Sequence, residues 1–201
     1  METDPRRMCA LLVGLPGVTI RGVGEWPSWL RVEIETCSPR PDCGGCGAAA
    51  WDHGQREVVL VDLPVFGRPT RLAWFKQRWR CPNPVCVVVT WSEHEPGIAS
   101  DRCALTTRAA RWATRQVGKH GRAVSEVADD LACDWHTVND AVVLFGQLLI
   151  DDPGRFGAVT AVGLDETLYK REGRYRKQCW STQIVDVEHG QLLDVAAGRV
   201  G

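Results

Sequence analysis

Cys43-Gly-Gly-Cys46-Gly47 and Cys81-Pro-Asn-Pro-Val-Cys86 decide how this chain folds. Two closely spaced cysteine pairs separated by a strand-rich interval suit a tetrahedral four-thiolate zinc site, because each pair makes a knuckle and the interval supplies a hairpin that joins them. Cys43, Cys46, Cys81 and Cys86 are therefore the expected Zn2+ ligands. Gly44, Gly45 and Gly47 would let the first knuckle turn tightly, while Pro82 and Pro84 stiffen the second and remove amide donors from it. An iron–sulfur cluster uses the same thiolates. Zinc is the better expectation, since the interval reads as an ordinary two-stranded ribbon and no other redox motif accompanies it. Cys37 lies outside the paired spacing and reads as a bystander.

Outward from the knuckles, Arg31-Val-Glu-Ile-Glu alternates apolar and charged residues as a half-buried strand does. Between the pairs, residues 56–63 and 70–80 read as two strands joined by the turn Pro64-Val-Phe-Gly-Arg-Pro69. The second strand interleaves bases with Trp74 and Phe75, which are expected to form a small core while the bases face solvent or a phosphate backbone. Residues 1–30 are weakly patterned and receive no function.

The chain has 201 residues and nine cysteines, with a formal net charge of −1. That length allows two or three small modules. Global basicity does not announce a nucleic-acid partner, so local clustering must. The apolar run beginning at Cys9 is short and is interrupted by Pro16-Gly17, so no signal peptide is expected and the thiols should be reduced in a cytoplasmic setting. No stretch approaches the roughly 20 apolar residues of a membrane span, so no membrane partner is expected.

Past the linker Glu95-Pro96-Gly97, helices follow. Thr106 or Thr107 can cap a helix running to about Val117, with Gly118 as its stop. Arg102, Arg108, Arg111, Arg115, Lys119 and Arg122 crowd this region against the single acid Asp101; a solvated helix face would explain them, but phosphate contact explains their one-sidedness better. Ser125 would cap a short helix through Leu131, and Asp134 a second one anchored by Trp135, Val138 and Val142. Two amphipathic helices joined by a three-residue turn make a helix-turn-helix, with an ordinary helical hairpin as the plain alternative. Its second helix would present His136, Thr137 and Asn139, and asparagine suits adenine edges in the major groove. This pair of helices is acidic, so the preceding helix must supply most of the attraction for phosphate.

After Asp151-Asp-Pro-Gly154, residues 158–166 read as an apolar strand running into Asp165. A basic hairpin tip at 170–177 and two further strands complete a three-stranded meander. The expected class is α+β and multi-domain. Its parts are an N-terminal segment (1–30), a zinc ribbon (31–95), a helix-turn-helix (102–152) and a β-meander (158–201).

This order of parts resembles the insertion-sequence transposases of the ISL3 family. The resemblance is carried by the two cysteine pairs, Asp62-Leu-Pro-Val-Phe-Gly-Arg-Pro69, Arg78-Trp-Arg-Cys81, Leu105-Thr-Thr-Arg108, Trp135-His-Thr-Val-Asn139 and Gly163-Leu-Asp-Glu-Thr167. It implies that the ribbon and helix-turn-helix bind terminal inverted repeats of DNA at the nucleoid, and that the meander begins an RNase H-like domain whose first strand carries the first acid of a DDE triad. By position that acid is Asp165. Three carboxylates would hold two divalent ions, Mg2+ in a complete site, about 4 Å apart for cleavage and strand transfer. Glu166 points to the opposite strand face, and Asp186 is a weaker second candidate that could instead cap a turn. The residues after Asp165 are spent on hairpins, so the triad is expected to be incomplete, the catalytic domain truncated and this chain inactive alone, with its uncovered apolar face suited to self-association. A zinc-ribbon and helix-turn-helix transcriptional regulator is the alternative, and a zinc scaffold for proteins a third.

Overall fold

The computed structural model describes residues 1–199, apart from the side chain of Arg6. Val200 and Gly201, the end of the expected meander segment, lie outside the described residues. The chain divides into two compact units, Met1–Leu148 and a second from Leu149 onward. The expected segments 1–30, 31–95 and most of 102–152 thus share one unit.

In that unit, α1 (Pro5–Val13) precedes β1 (Val18–Glu25), β2 (Leu30–Thr36), β3 (Trp51–Val65), β4 (Arg68–Arg80) and β5 (Thr90–Ser92). The sheet order is β1-β2-β4-β3, with β5 pairing the far end of β4. The pairings are antiparallel except β2 with β4, which is parallel. Residues 1–30 are therefore part of the sheet rather than an appendage: β1 pairs with β2 through a bulge between Ile20 and Gly22. Trp26 and Trp29 stack at 4.7 Å where β1 turns into β2.

The alternation in β2 buries Val32 and Ile34 as expected. Across β2, β4 and β3 these residues align in two rows, Val32 with Leu72 and Leu60, and Ile34 with Trp74 and Val58. Together with Ile98 they form the ribbon's apolar cluster. Trp74 is 1% exposed, and complete burial of so large an apolar side chain contributes about 2–3 kcal/mol. The hairpin turn is tighter than the expected 64–69: Phe66 and Gly67 both take positive φ, 51° and 77°. That is the two-residue geometry that matches strand twist, and it leaves Pro64 and Pro69 at the strand ends beside a bulge.

Three helices follow, α2 (Thr107–Gly118), α3 (Val124–Leu131) and α4 (Trp135–Ile150). Thr106 caps α2, its hydroxyl accepting from the Ala109 amide at 3.2 Å. The expected Ser125 cap is not found: the residue preceding α3 is Ala123, whose amide donates to Glu126 at 3.3 Å, so Ser125 lies inside the first turn. Ala132 ends α3 in the left-handed conformation (φ 49°). The helical core gathers Leu105, Ala109, Ala110, Ala113, Val127, Leu131, Val138 and Ala141, with Val61 and Leu63 of β3 packed against it. Strand β3 thus contributes to both cores.

Buried polar contacts fix these helices to the ribbon. Asp62 is 1% exposed and accepts from the Thr106 hydroxyl at 2.7 Å and from Arg108 Nε at 2.8 Å, with a second Arg108 nitrogen on its other oxygen. Arg108 also donates to the carbonyl of Val13 at the end of α1. Arg71 of β4 donates to the carbonyls of Leu131 and Ala132, where the last turn of α3 leaves acceptors free.

The second unit holds a 3₁₀ turn at Pro153–Arg155, then β6 (Val162–Glu172), β7 (Lys177–Asp186) and β8 (Gln191–Ala197) in an antiparallel β6-β7-β8 sheet. The first strand starts four residues later than expected and extends through the basic stretch. Leu164, Leu192 and Val195 remain largely exposed. Asp186 accepts from the amides of Glu188 and His189 and contacts the His189 ring at 2.7 Å, holding the β7–β8 turn. The His189 ring, and then the two amides, hold its carboxyl below the ordinary value. A carboxylate with a depressed native pKa stabilises the fold above the unfolded pKa, and that contribution is lost as pH falls through the native one.

Two outcomes follow. Removing Arg108 would leave the Asp62 carboxylate buried beside a single hydroxyl, so Arg108→Ala should lower the urea-unfolding stability of the first unit by about 3 kcal/mol. Protection of the β7–β8 turn amides, taken relative to their intrinsic exchange rates, should fall as pH drops below about 4 in the natural chain. Asp186→Asn should lower that protection already at neutral pH and remove the acid step.

Candidate metal centre and basic helix face

The knuckles form because the chain turns back on each sulfur. At the first, the Cys43 amide donates to Ala48 and the Gly47 amide to Cys43, both at 2.8 Å. Gly47 has φ +69°, a left-handed position that favours glycine. Gly45 is needed for closeness instead, since a β-carbon there would stand 2.9 Å from Val88 Cγ2 and 3.1 Å from Cys86 Sγ. Gly44 meets neither constraint. At the second knuckle the Cys81 amide donates to Val89 and the Cys86 amide to Asn83.

These turns bring the four sulfurs within 4.8 Å of one another. Cys43 and Cys86 lie 3.8 Å apart, and Cys46 and Cys81 3.5 Å. Zinc–thiolate bonds of about 2.3 Å in a tetrahedron place sulfurs about 3.8 Å apart, so the donor set fits one ion. Such spacing leaves no room for a multi-iron cluster. Amides also shape the thiols: the Gly45 amide, helped by that of Cys46, brings Cys43 down to about 7, whereas burial pushes Cys81 up to about 12. Four thiolates this close repel one another, and a bound cation is what would let all four deprotonate. Cys37 is not of this group; its thiol lies 3.0 Å from the Thr19 hydroxyl.

The six bases around α2 separate into kinds. Arg108 was expected on phosphate but is held by Asp62 and Val13, and its charged form is reinforced by Asp62. Withdrawing it would uncover a buried carboxylate, so the expected phosphate contact is corrected for this residue. Arg122 pairs with Asp130 at 2.7 Å and with Glu126 at 3.9 Å. These pairs are solvated and weak, so a phosphate could compete for Arg122. Arg111, Arg115 and Lys119 are exposed at four-residue intervals, one stripe opposite the buried Ala109, Ala110 and Ala113. They have no carboxylate partner among the described residues. Arg102 is exposed with a φ of 62°.

On α4, His136 is exposed and stacks on Trp135 at 4.1 Å. Thr137 and Asn139 are half-buried and flank the buried Val138. Among the residues that reasoning from sequence passed over, Asp62 and Arg71 organise the unit. A lone acid inside an apolar alternation was the available signal for Asp62.

Asp165 is exposed on β6, opposite Gln183. Asp186 pairs with Val162, three positions away along an unbroken register, and so lies on the other sheet face. It cannot share an ion with Asp165, and its carboxylate is spent on the turn. Glu166 also faces away from Asp165 and binds Arg199 at 2.7 Å. Among the described residues the four cysteines form the one group of three or more potential ligands close enough to hold a metal.

Purified protein should carry about one equivalent of zinc. Cys81→Ser should abolish it and loosen the ribbon, whereas Cys37→Ser should retain it; equal loss from both would refute the ligand set.

Residues 39–86 match a family model described as the zinc-finger of transposase IS204/IS1001/IS1096/IS1165. No curated protein and no solved structure matches the chain. No described helix is long and apolar enough to cross a membrane. The cysteine cluster and the family match coincide, so residues 39–86 are similar to the zinc ribbon of ISL3-type transposases.

Proposed function

We propose that this chain is the DNA-binding N-terminal part of an ISL3-type transposase, recognising the terminal inverted repeats of its element. The observation that carries the reading is the fusion, within one compact unit, of a matched transposase zinc ribbon to three helices with an exposed basic stripe. We read α3, the turn at 132–134 and α4 as the helix-turn-helix. The start of α4 carries His136, Thr137 and Asn139 to base edges, and α2 carries Arg111, Arg115 and Lys119 to phosphates. The zinc ion is structural, crosslinking the two knuckles. On this reading the protein works on DNA in the cytoplasm.

Asp165 would be the first acid of a DDE site. On its own sheet face it has the neutral Gln183 and Thr167 as neighbours, and one carboxylate holds a hard divalent ion weakly. Recognition rather than strand transfer is therefore assigned to these residues. Magnesium- or manganese-dependent nicking of an inverted-repeat duplex that vanishes in Asp165→Ala would overturn that assignment.

The test is binding to a duplex bearing the inverted repeat that flanks its gene, against a scrambled duplex and against the promoter of the same gene. Preference for the repeat supports the transposase reading, preference for the promoter a regulator, and no salt-dependent affinity a protein scaffold. Arg111→Ala with Arg115→Ala should weaken binding to every duplex and reduce the salt slope by about 1.8. Asn139→Ala should cost about 1–3 kcal/mol on the repeat alone.

A further inference from the structure

The opposed pairs on one face of β3 and β4 run Leu60 with Leu72, Val58 with Trp74, and Arg56 with Lys76. The first two join Ile98 in the buried apolar cluster. Arg56 and Lys76 open instead into a cleft of about 400 Å³, whose other wall is the linker 99–103.

Several unfavourable features meet in this cleft. Arg56 and Lys76 are like charges placed directly opposite each other across two strands, an arrangement that destabilises a sheet. Arg102, which also lines the cleft, holds a left-handed backbone that its side chain disfavours. The one acid in the lining, Asp101, already stands 3.2 Å from His94. None of the three cations has a carboxylate partner among the described residues; Lys76 rests on the Trp74 ring at 4.6 Å. Trp74 forms part of the wall, and its indole nitrogen is buried with no hydrogen-bond partner. The repulsion between the two opposed bases is relieved once an anion enters between them. Along β4 the same face continues through Arg78 and Arg80 to the metal knuckle at Cys81, so the cleft is one end of a basic row.

We infer that this cleft binds a phosphate group, and that the phosphate comes from the DNA backbone lying along the β4 row. The inference rests on the DNA-binding reading above and assigns the ribbon's share of the contact to one cleft and the row that leads from it.

The experiment uses the full chain, zinc-loaded, with the variant Arg56→Gln/Lys76→Gln. One arm measures binding to a random-sequence duplex as a function of salt; the other titrates inorganic phosphate and follows the Trp74 indole N–H resonance, identified by its loss in Trp74→Phe. The expected result is about tenfold weaker duplex binding, a salt slope smaller by about 1.8, and a phosphate-induced indole shift in the natural chain that the variant lacks. Because the substitution removes a like-charge pair, the variant's Tm and zinc content should not fall, which separates lost binding from lost fold. Unchanged duplex affinity and slope in this variant, with weakened binding in Arg111→Ala/Arg115→Ala, would overturn the DNA contact while leaving the proposed function standing. An indole shift under that outcome would keep the cleft as a site for free phosphate, and its absence would remove the site altogether. If the natural chain binds no duplex, the proposed function falls; the phosphate arm then decides the cleft alone.

Discussion

The buried Asp62 carboxylate is the constraint on which the arrangement of the first unit depends. A charge that is 1% exposed must be compensated, and Thr106, Arg108 and the chain around them are placed to do so. Thr106 caps α2 with the same side chain, and Arg108 reaches on to Val13, so one carboxylate fixes β3, the start of α2 and the end of α1 together. An apolar contact of similar volume could stabilise as much. What it could not do is fix direction: hydrogen bonds from two residues of one helix set its rotation about its own axis. That rotation turns Ala109, Ala110 and Ala113 inward and leaves Arg111, Arg115 and Lys119 in solvent.

What could be read from the sequence was what is local. Cysteine spacing located the metal centre because a knuckle is a turn of a few residues, and the structure brings those four sulfurs together. The three helices after Thr106 were legible because their apolar residues recur with helical period and meet in one core. The first 30 residues were not legible, since β1 is defined by pairing with β2 and its bulge after Ile20 breaks the alternation that would have marked a strand. Arg108 was misread for a related reason. Its charge looked uncompensated because its partner lies in β3, far along the chain. The cap of α3 failed on competing local chemistry: Glu126 reaches back to the Ala123 amide, which starts the helix before Ser125 can.

In the second unit, strand parity separates roles that the sequence left together. Asp165 and Asp186 are both carboxylates on neighbouring strands, and only the register shows them on opposite faces. Asp186 is then accounted for by the turn it holds. Asp165 is not: it is exposed, faces neutral neighbours and caps nothing among the described contacts.

A net charge of −1 gives a polyanion no long-range attraction to the chain as a whole. Screening makes the local fields decide instead, since exposed charges more than about 8 Å apart hardly sense one another at physiological ionic strength. The acids of α3 and α4 and the bases of α2 and β4 therefore act as separate local fields. Arg111 and Arg115 of α2 lie on its solvent face, and Lys76, Arg78 and Arg80 of β4 occupy alternate positions on a single sheet face. Random scatter of bases over a soluble surface would have placed acids among them, as it does for Arg122 beside Asp130 and Glu126. Where bases stand opposite one another without acids, as Arg56 and Lys76 do, the fold bears a repulsion that a phosphate backbone would relieve.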